Sequence, residues 1–269
     1  MQALVVSVGR NDLELAADEL WSLGVVAIEE RATAEGDVIE LWTSLGDDTD
    51  ELAVALRSLR WTWRFEDVDE SVTDTWRLHA QPTWIAADLV VYPSWLPAPD
   101  FGDALAIGIE PGATFGMGDH PTTVLSLRAL REVVRHGQRV LDVGCGSGVL
   151  AIAACLFGAA RADAIDISPA SVPTTIHNAE WNGVADRVEV STTPVAEIDE
   201  TYDVVVANIL APTLIDLAAD LQRSLAPGGT LIISGILAAR HQHVLDALVP
   251  LKVVAGAELD GWTALTLTR

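Results

Sequence analysis

The run Val140-Leu141-Asp142-Val143-Gly144-Cys145-Gly146-Ser147-Gly148 constrains this chain more than any other stretch. It reads as an apolar strand, three glycines at alternate positions, and then the start of an apolar helix. Glycines at such a turn permit the tight bend and remove side chains that would block a ligand's approach to the backbone. The dinucleotide fingerprint G-x-G-x-x-G fails, because its third glycine falls at Val149. The spacing is instead acid-x-G-x-G-x-G.

From Arg139 onward strand and helix patterns alternate: strands at 140–143, 162–167, 188–191, 204–207 and 230–234, helices at 148–157, 169–181 and 212–225, and a turn at Pro227-Gly228-Gly229. Alternation predicts an α/β, doubly wound parallel sheet with helices on both faces and ligands at the carboxyl ends of its strands. A last helix at 238–248 and strands at 252–257 and 262–268 predict an antiparallel edge. Residues 1–68 follow a different order, β-α-β-β-α-β, with a second helix at 48–59. That is the pattern of a small ferredoxin-like α+β domain. Residues 69–100 read as a linker and hairpin, with a short helix at 74–77. The strand-like segments 88–92 and 104–109, flanking a proline-rich turn, predict a β-hairpin before the domain at 101–269. Two domains also suit a chain of 269 residues.

The net charge is −23, and Lys252 is the only lysine. Such a surface repels a phosphate backbone and suits a basic protein, so direct binding of nucleic acid is not expected. The plainer explanation is solubility of a hydrophobic chain. No apolar run is long enough to span a membrane, and residues 1–4 do not read as a signal. A cytoplasmic monomer is expected. Cys145 and Cys155 lack partners at ligand spacing, and the six histidines form no metal pattern, so no metal is expected.

The glycine spacing resembles the first motif of class I S-adenosylmethionine-dependent methyltransferases, with a Rossmann-like sheet. Against that cofactor several residues acquire roles. Asp166 ends the second strand and accepts from the ribose hydroxyls; Asp163 is the alternative, and a simple helix cap before Ser168-Pro169 the plainer use of Asp166. Asn208 follows the strand at 204–207 and orients an amine or the methionine part of the cofactor; its plainer use is a cap for the helix near Pro212. Upstream, Glu110-Pro111-Gly112-Ala113-Thr114-Phe115-Gly116-Met117-Gly118-Asp119-His120-Pro121-Thr122-Thr123 runs from a loop into a helix. Free amide hydrogens at Thr122 and Thr123 are expected there to attract a carboxylate, with the Thr123 hydroxyl as a further donor. The Phe115 ring suits a sulfonium. His120 is either a proton acceptor or a helix-entry residue.

Taken with Val91-Tyr92-Pro93-Ser94-Trp95, Asn178-Ala179-Glu180-Trp181-Asn182-Gly183, Ala207-Asn208-Ile209-Leu210-Ala211 and Ile233-Ser234-Gly235-Ile236-Leu237, the chain resembles the ribosomal protein L11 methyltransferase family (PrmA). The resemblance implies methyl transfer to lysine and amino-terminal amines of that protein, and docking of the acceptor on the front domain. It also implies cofactor contacts at Thr123, Gly144, Asp166 and Asn208, with Asp142 and Gly146 in the same turn. Met117 and Asp119 depart from the family's F-G-T-G-T-H-P-T-T and bear on acceptor choice more than on the cofactor. Transfer to an amine needs an in-line, neutral nucleophile and no acid for the leaving thioether, so the expected work is alignment. The rival readings are another protein lysine or a small molecule as acceptor, a nicotinamide oxidoreductase, and a non-catalytic binding module.

Overall fold

A computed structural model describes residues 2–22, 28–33, 37–44, 56, 59–67, 80–97, 99–110, 114 and 116–269. The chain divides into two compact units, Met1–Ala80 and Gln81–Arg269.

In the first unit β1 (Gln2–Gly9) leads through a short 3-10 turn into α1 (Leu13–Ser22), followed by β2 (Ile28–Ala32), β3 (Val38–Ser44) and β4 (Thr62–Asp67). The sheet order is β2-β3-β1-β4, antiparallel throughout, as the split ferredoxin-like unit requires. Leu4, Val6 and Val8 alternate inward from β1 and meet Ala16 and Leu20 of α1. Leu56 is helical and buried in the same cluster. Most of the helix expected at 48–59 and all of the one at 74–77 lie outside the described residues.

The second unit opens with β5 (Thr83–Ala86), β6 (Leu89–Pro93) and β7 (Leu105–Ile109), a separate three-stranded sheet. The hairpin expected between the last two is corrected here. β6 and β7 run parallel, joined by residues 94–104, and the hairpin lies one strand earlier, between β5 and β6.

The main layer follows: α2 (Pro121–Val133), β8 (Arg139–Val143), α3 (Val149–Leu156), β9 (Arg161–Ile165), α4 (Ser171–Trp181), β10 (Val188–Ser191), β11 (Tyr202–Asn208), α5 (Ala211–Asp216), α6 (Ala218–Arg223), β12 (Leu225–Leu237), α7 (Gln242–Ala247), β13 (Lys252–Leu259) and β14 (Trp262–Thr268). The single helix expected at 212–225 is two short ones. The Pro227-Gly228-Gly229 turn lies within the long strand β12, at a register shift against β11.

The seven strands take the order β10-β9-β8-β11-β12-β14-β13, and β14 runs antiparallel to both neighbours. Period-two alternation splits the core. Val140, Val204, Val206 and Ile232 face the α2 and α3 side, whereas Leu141, Val143, Val205, Ala207, Leu231 and Ile233 face α5, α6 and α7. Both faces are covered, which explains the continuous apolar runs of these strands. From β8 the chain winds outward to β9 and β10, then returns to β11 on the other side of β8. The crevice at the carboxyl ends of β8 and β11 is therefore the switch point, where open α/β sheets bind ligands.

Candidate functional site

At the end of β8 the chain turns through Gly144, Gly146 and Gly148, all at positive φ. The amides of Gly144 and Cys145 donate to the Ile165 carbonyl at 2.8 and 3.1 Å, which wraps the turn around the tip of β9. Side chains are excluded by packing as well as by φ. A Cβ on Gly148 would lie 2.6 Å from Thr175 Cγ2, and one on Gly144 would collide with Ile209 just beyond β11.

Asp166, one residue past β9, accepts the Gly146 amide on Oδ2 and the Ser168 amide on Oδ1, each at 2.8 Å. It does not cap α4, whose first residue is Ser171 and whose N-cap is Ala170. A carboxylate offers about four acceptor positions, so two bonds leave capacity for a ligand's hydroxyls. Asp163 is committed elsewhere: it accepts from the Tyr202 hydroxyl at 2.7 Å and from Arg161 Nε at 2.6 Å, and Arg139 reaches it at 3.3 Å. Burial and that bond push the Tyr202 phenol well above its ordinary range.

Asn208 is the last residue of β11 and pairs with Ser234 of β12, one step beyond the Ala207–Val143 pair with β8. Its Oδ1 is buried without a hydrogen-bond partner. Capping of α5 is not its function, since Leu210 occupies that position and no side chain caps it.

The helix α2 starts as its sequence dictates, with Pro121 in the first turn and His120 as N-cap. His120 Nδ1 accepts the Thr122 amide at 3.3 Å and lies 2.8 Å from Thr122 Oγ1. The Thr123 amide donates to the His120 carbonyl at 3.0 Å. The free amides expected at Thr122 and Thr123 are thus used inside the protein. The Thr123 hydroxyl remains, buried and without a partner. Burial lowers the His120 pKa, against an opposing pull from Asp119, and its ring centroid lies 5.2 Å from that of Trp262. Phe115 lies outside the described residues. Asp119 is exposed, whereas Met117 is half-buried.

Asp142 is fully buried. Its Oδ2 accepts the Ala151 amide at 3.1 Å, serving the first turn of α3 in place of a side chain at Gly148, while Oδ1 has no partner. Desolvation pushes its pKa up to about 7; the Ala151 bond opposes this and the Asp166 charge adds to it.

Two residues without an assigned role in the sequence hold the site together. Asn178 Nδ2 donates to the carbonyls of Glu110 and Ser147 at 2.8 and 2.9 Å, and its Oδ1 accepts the Glu110 amide at 2.9 Å. Asn182, one helical turn on, makes the same pair of bonds with Gly108. Two asparagines spaced i, i+4, one on α4 and one at its C-cap, were the available signal. The Ser147 hydroxyl adds a bond to the Gly116 carbonyl at 2.7 Å, joining the upstream loop to the glycine turn. A hollow of about 300 Å³ beside this clamp is lined by Glu110, Pro173, Thr174 and His177, and the strand tips do not contribute to it.

Among the described residues, the buried side-chain oxygens without a partner belong to Thr123, Asp142 and Asn208. Buried polar groups are rarely left so, and together with the glycine cradle they fit a polar, nucleoside-bearing ligand. This fold and this site define a class I S-adenosylmethionine-dependent methyltransferase.

The profile of the ribosomal protein L11 methyltransferase (PrmA) family matches residues 6–269. The ribosomal protein L11 methyltransferase of Geobacter metallireducens is 47% identical over 182 residues, 67% of this chain and 60% of that protein. The one from Chromohalobacter salexigens is 38% identical over 252 residues, 86% of this chain and 84% of that protein. A crystal structure of the ribosomal protein L11 methylase of Lactobacillus delbrueckii subsp. bulgaricus superposes with a TM-score of 0.65 at 32% identity, covering 70% of this chain and 97% of that one. The chain belongs to the ribosomal protein L11 methyltransferase (PrmA) family.

Proposed function

We propose that the protein transfers methyl groups to amino groups, lysine side chains or an amino terminus, of a basic acceptor protein, and that the acceptor is ribosomal protein L11. One observation carries the site reading: the unpartnered buried oxygens fall on Thr123 in the first turn of α2, Asp142 near the end of β8 and Asn208 at the end of β11. The charge of −23 favours a basic protein over a nucleic acid as partner.

When bound, S-adenosylmethionine supplies an electrophilic methyl group on a sulfonium. Asp166 accepts from the ribose hydroxyls while holding the Gly146 amide in place. Gly144, closed on its Cβ side by Ile209, would meet the ligand through its backbone, and the Thr123 hydroxyl would donate to the methionine carboxylate. Asn208 Oδ1 accepts from the incoming amine and fixes its line of approach. The amine attacks only after losing its proton, which a partly apolar, desolvated position favours. His120 Nδ1 is occupied as an acceptor, so its neutral ring carries its proton on Nε2 and contributes alignment of α2 rather than a base. The first unit docks the acceptor, and the reaction takes place in the cytoplasm.

The test is incubation of the purified chain with labelled S-adenosylmethionine and unmodified ribosomal protein L11, with modified residues located by mass spectrometry. Label on lysine or amino-terminal nitrogen is expected. No transfer beside an active control rejects this acceptor, and transfer to another protein or a small amine redirects the reading within the same enzyme class.

A further inference from the structure

The sheet formed by β5, β6 and β7 has two distinct faces. Val91, Ile107 and Ile109 point into the core of the second unit. The opposite face is set by register: Trp84 pairs with Val90, Val90 with Ala106, and Tyr92 with Gly108. A row of aromatic rings crosses it. Trp84 meets Phe101 edge-on at 6.0 Å between centroids, Phe101 lies 5.4 Å from Tyr92, and Trp181 of α4 donates its indole N–H to the Tyr92 hydroxyl at 3.2 Å. Gly108 makes room for that indole, since a Cβ there would sit 2.6 Å from Trp181 Cδ1. The fold thus gives up a side chain on β7 to lay Trp181 across the sheet. Even so, Trp84 and Trp181 remain 51% and 53% exposed. Contiguous exposed aromatics of this kind mark interaction surfaces.

Charge selects the partner. Residues 80–119 contain no lysine, arginine or histidine, and residues 168–186 no lysine or arginine. Asp100 and Asp103, within two residues of Phe101, and Glu180, next to Trp181, are exposed. Two basic groups of α2 reach this sheet and are already engaged: Arg128 donates to the Ile85 carbonyl at 2.8 Å, and Arg131 pairs with Asp88. Aromatic faces within an acidic surround attract lysine and arginine side chains. Gly108 lies two residues before Glu110, where the loop toward the glycine turn begins.

We propose that this aromatic row binds a lysine- or arginine-bearing segment of the acceptor protein that flanks the acceptor amine. The proposal rests on the basic-protein reading above and deepens it. An octalysine peptide titrated into the full chain shifts the indole N–H signals of Trp84 and Trp181, and an octaglutamate peptide does not. Trp84→Ala, and Trp84→Ala with Trp181→Ala, raise KM for the acceptor protein by about tenfold, the scale of an interface hot spot, with kcat and S-adenosylhomocysteine affinity retained. The single variant changes a half-exposed side chain and keeps the test readable if the double variant fails to fold. Indole signals that ignore octalysine, or an unchanged KM in the single variant, overturn the proposal. The peptide titration needs no methyl transfer, so failure of the wild type to modify ribosomal protein L11 counts against the acceptor assignment and leaves this surface to be judged separately.

Discussion

The Ser234 hydroxyl donates to the Thr122 carbonyl at 3.3 Å, across 112 positions of sequence, and shares its hydrogen with the Thr263 carbonyl at 3.2 Å. Ser234 is also the partner of Asn208 in the β11–β12 pairing. One buried hydroxyl therefore ties the first turn of α2 to the strand tip that carries Asn208. The unpartnered oxygens of Thr123 and Asn208 flank that tie.

Asp166→Ala leaves the Gly146 and Ser168 amides without acceptors and removes the assigned ribose contact. Bonds to a charged group are worth about 1.5–3 kcal/mol, so S-adenosylhomocysteine affinity should fall by roughly 10- to 100-fold. Isothermal titration reads it. Unchanged affinity removes Asp166 from the ligand site.

Thr123→Val separates stability from binding. The hydroxyl makes no bond within the protein, so its loss should leave the Tm equal or slightly higher, while ligand affinity drops by about 1 kcal/mol, or fivefold. A lower Tm with intact affinity contradicts the ligand role.

Asn208→Ala should lower kcat by about 100-fold, because misplacing the nucleophile is costly, with a smaller loss in S-adenosylhomocysteine affinity. Steady-state rates beside titration data make the comparison. Equal losses in both would assign Asn208 to the cofactor alone.

His120→Asn preserves an N-cap and His120→Ala does not. Helix capping predicts that Ala costs about 1 kcal/mol of stability, and that Asn restores stability and keeps kcat within a few-fold. Loss of kcat in both, with the acid limb of the pH–rate profile removed, shows a proton acceptor instead.

Asp142 makes the unliganded protein sensitive to pH. Its folded pKa, about 7, lies above the ordinary value of 3.8, so the folded state binds the extra proton between them. Stability therefore falls as pH rises through that window, by an amount on the order of 4 kcal/mol, and levels off above it. Denaturant titrations from pH 4.5 to 8 should show this slope in the wild type and its loss in Asp142→Asn. Parallel slopes in the two proteins would refute the assignment.

The glycine turn was legible because its strand, its three glycines and the start of its helix lie within nine consecutive residues, although the groups that hold it, Ile165, Asp166, Thr175 and Ile209, lie elsewhere in the chain. That Asp163 is engaged elsewhere was not legible, since its partners are Tyr202, Arg139 and Arg161, of which Tyr202 is 39 positions away. The direction of β7 was misread because prolines at 93–99 look the same in a hairpin loop and in a crossover. The amides of α2 were misjudged for a local reason: His120 supplies both a ring nitrogen and a carbonyl to the first turn. The bonds of Asn178 and Asn182 to Gly108, Glu110 and Ser147 span 31 to 74 positions, and no local pattern encodes such partners.

The place of β14 governs how this unit is made on the ribosome. Residues 262–268 lie between β12 and β13, and among the described residues β13 pairs with no other strand. A nascent chain emerging amino end first therefore displays the backbone edge of β12 that pairs with β14 unpaired until synthesis has passed residue 268. A version truncated before residue 262 keeps that bare edge permanently and is a template for aggregation.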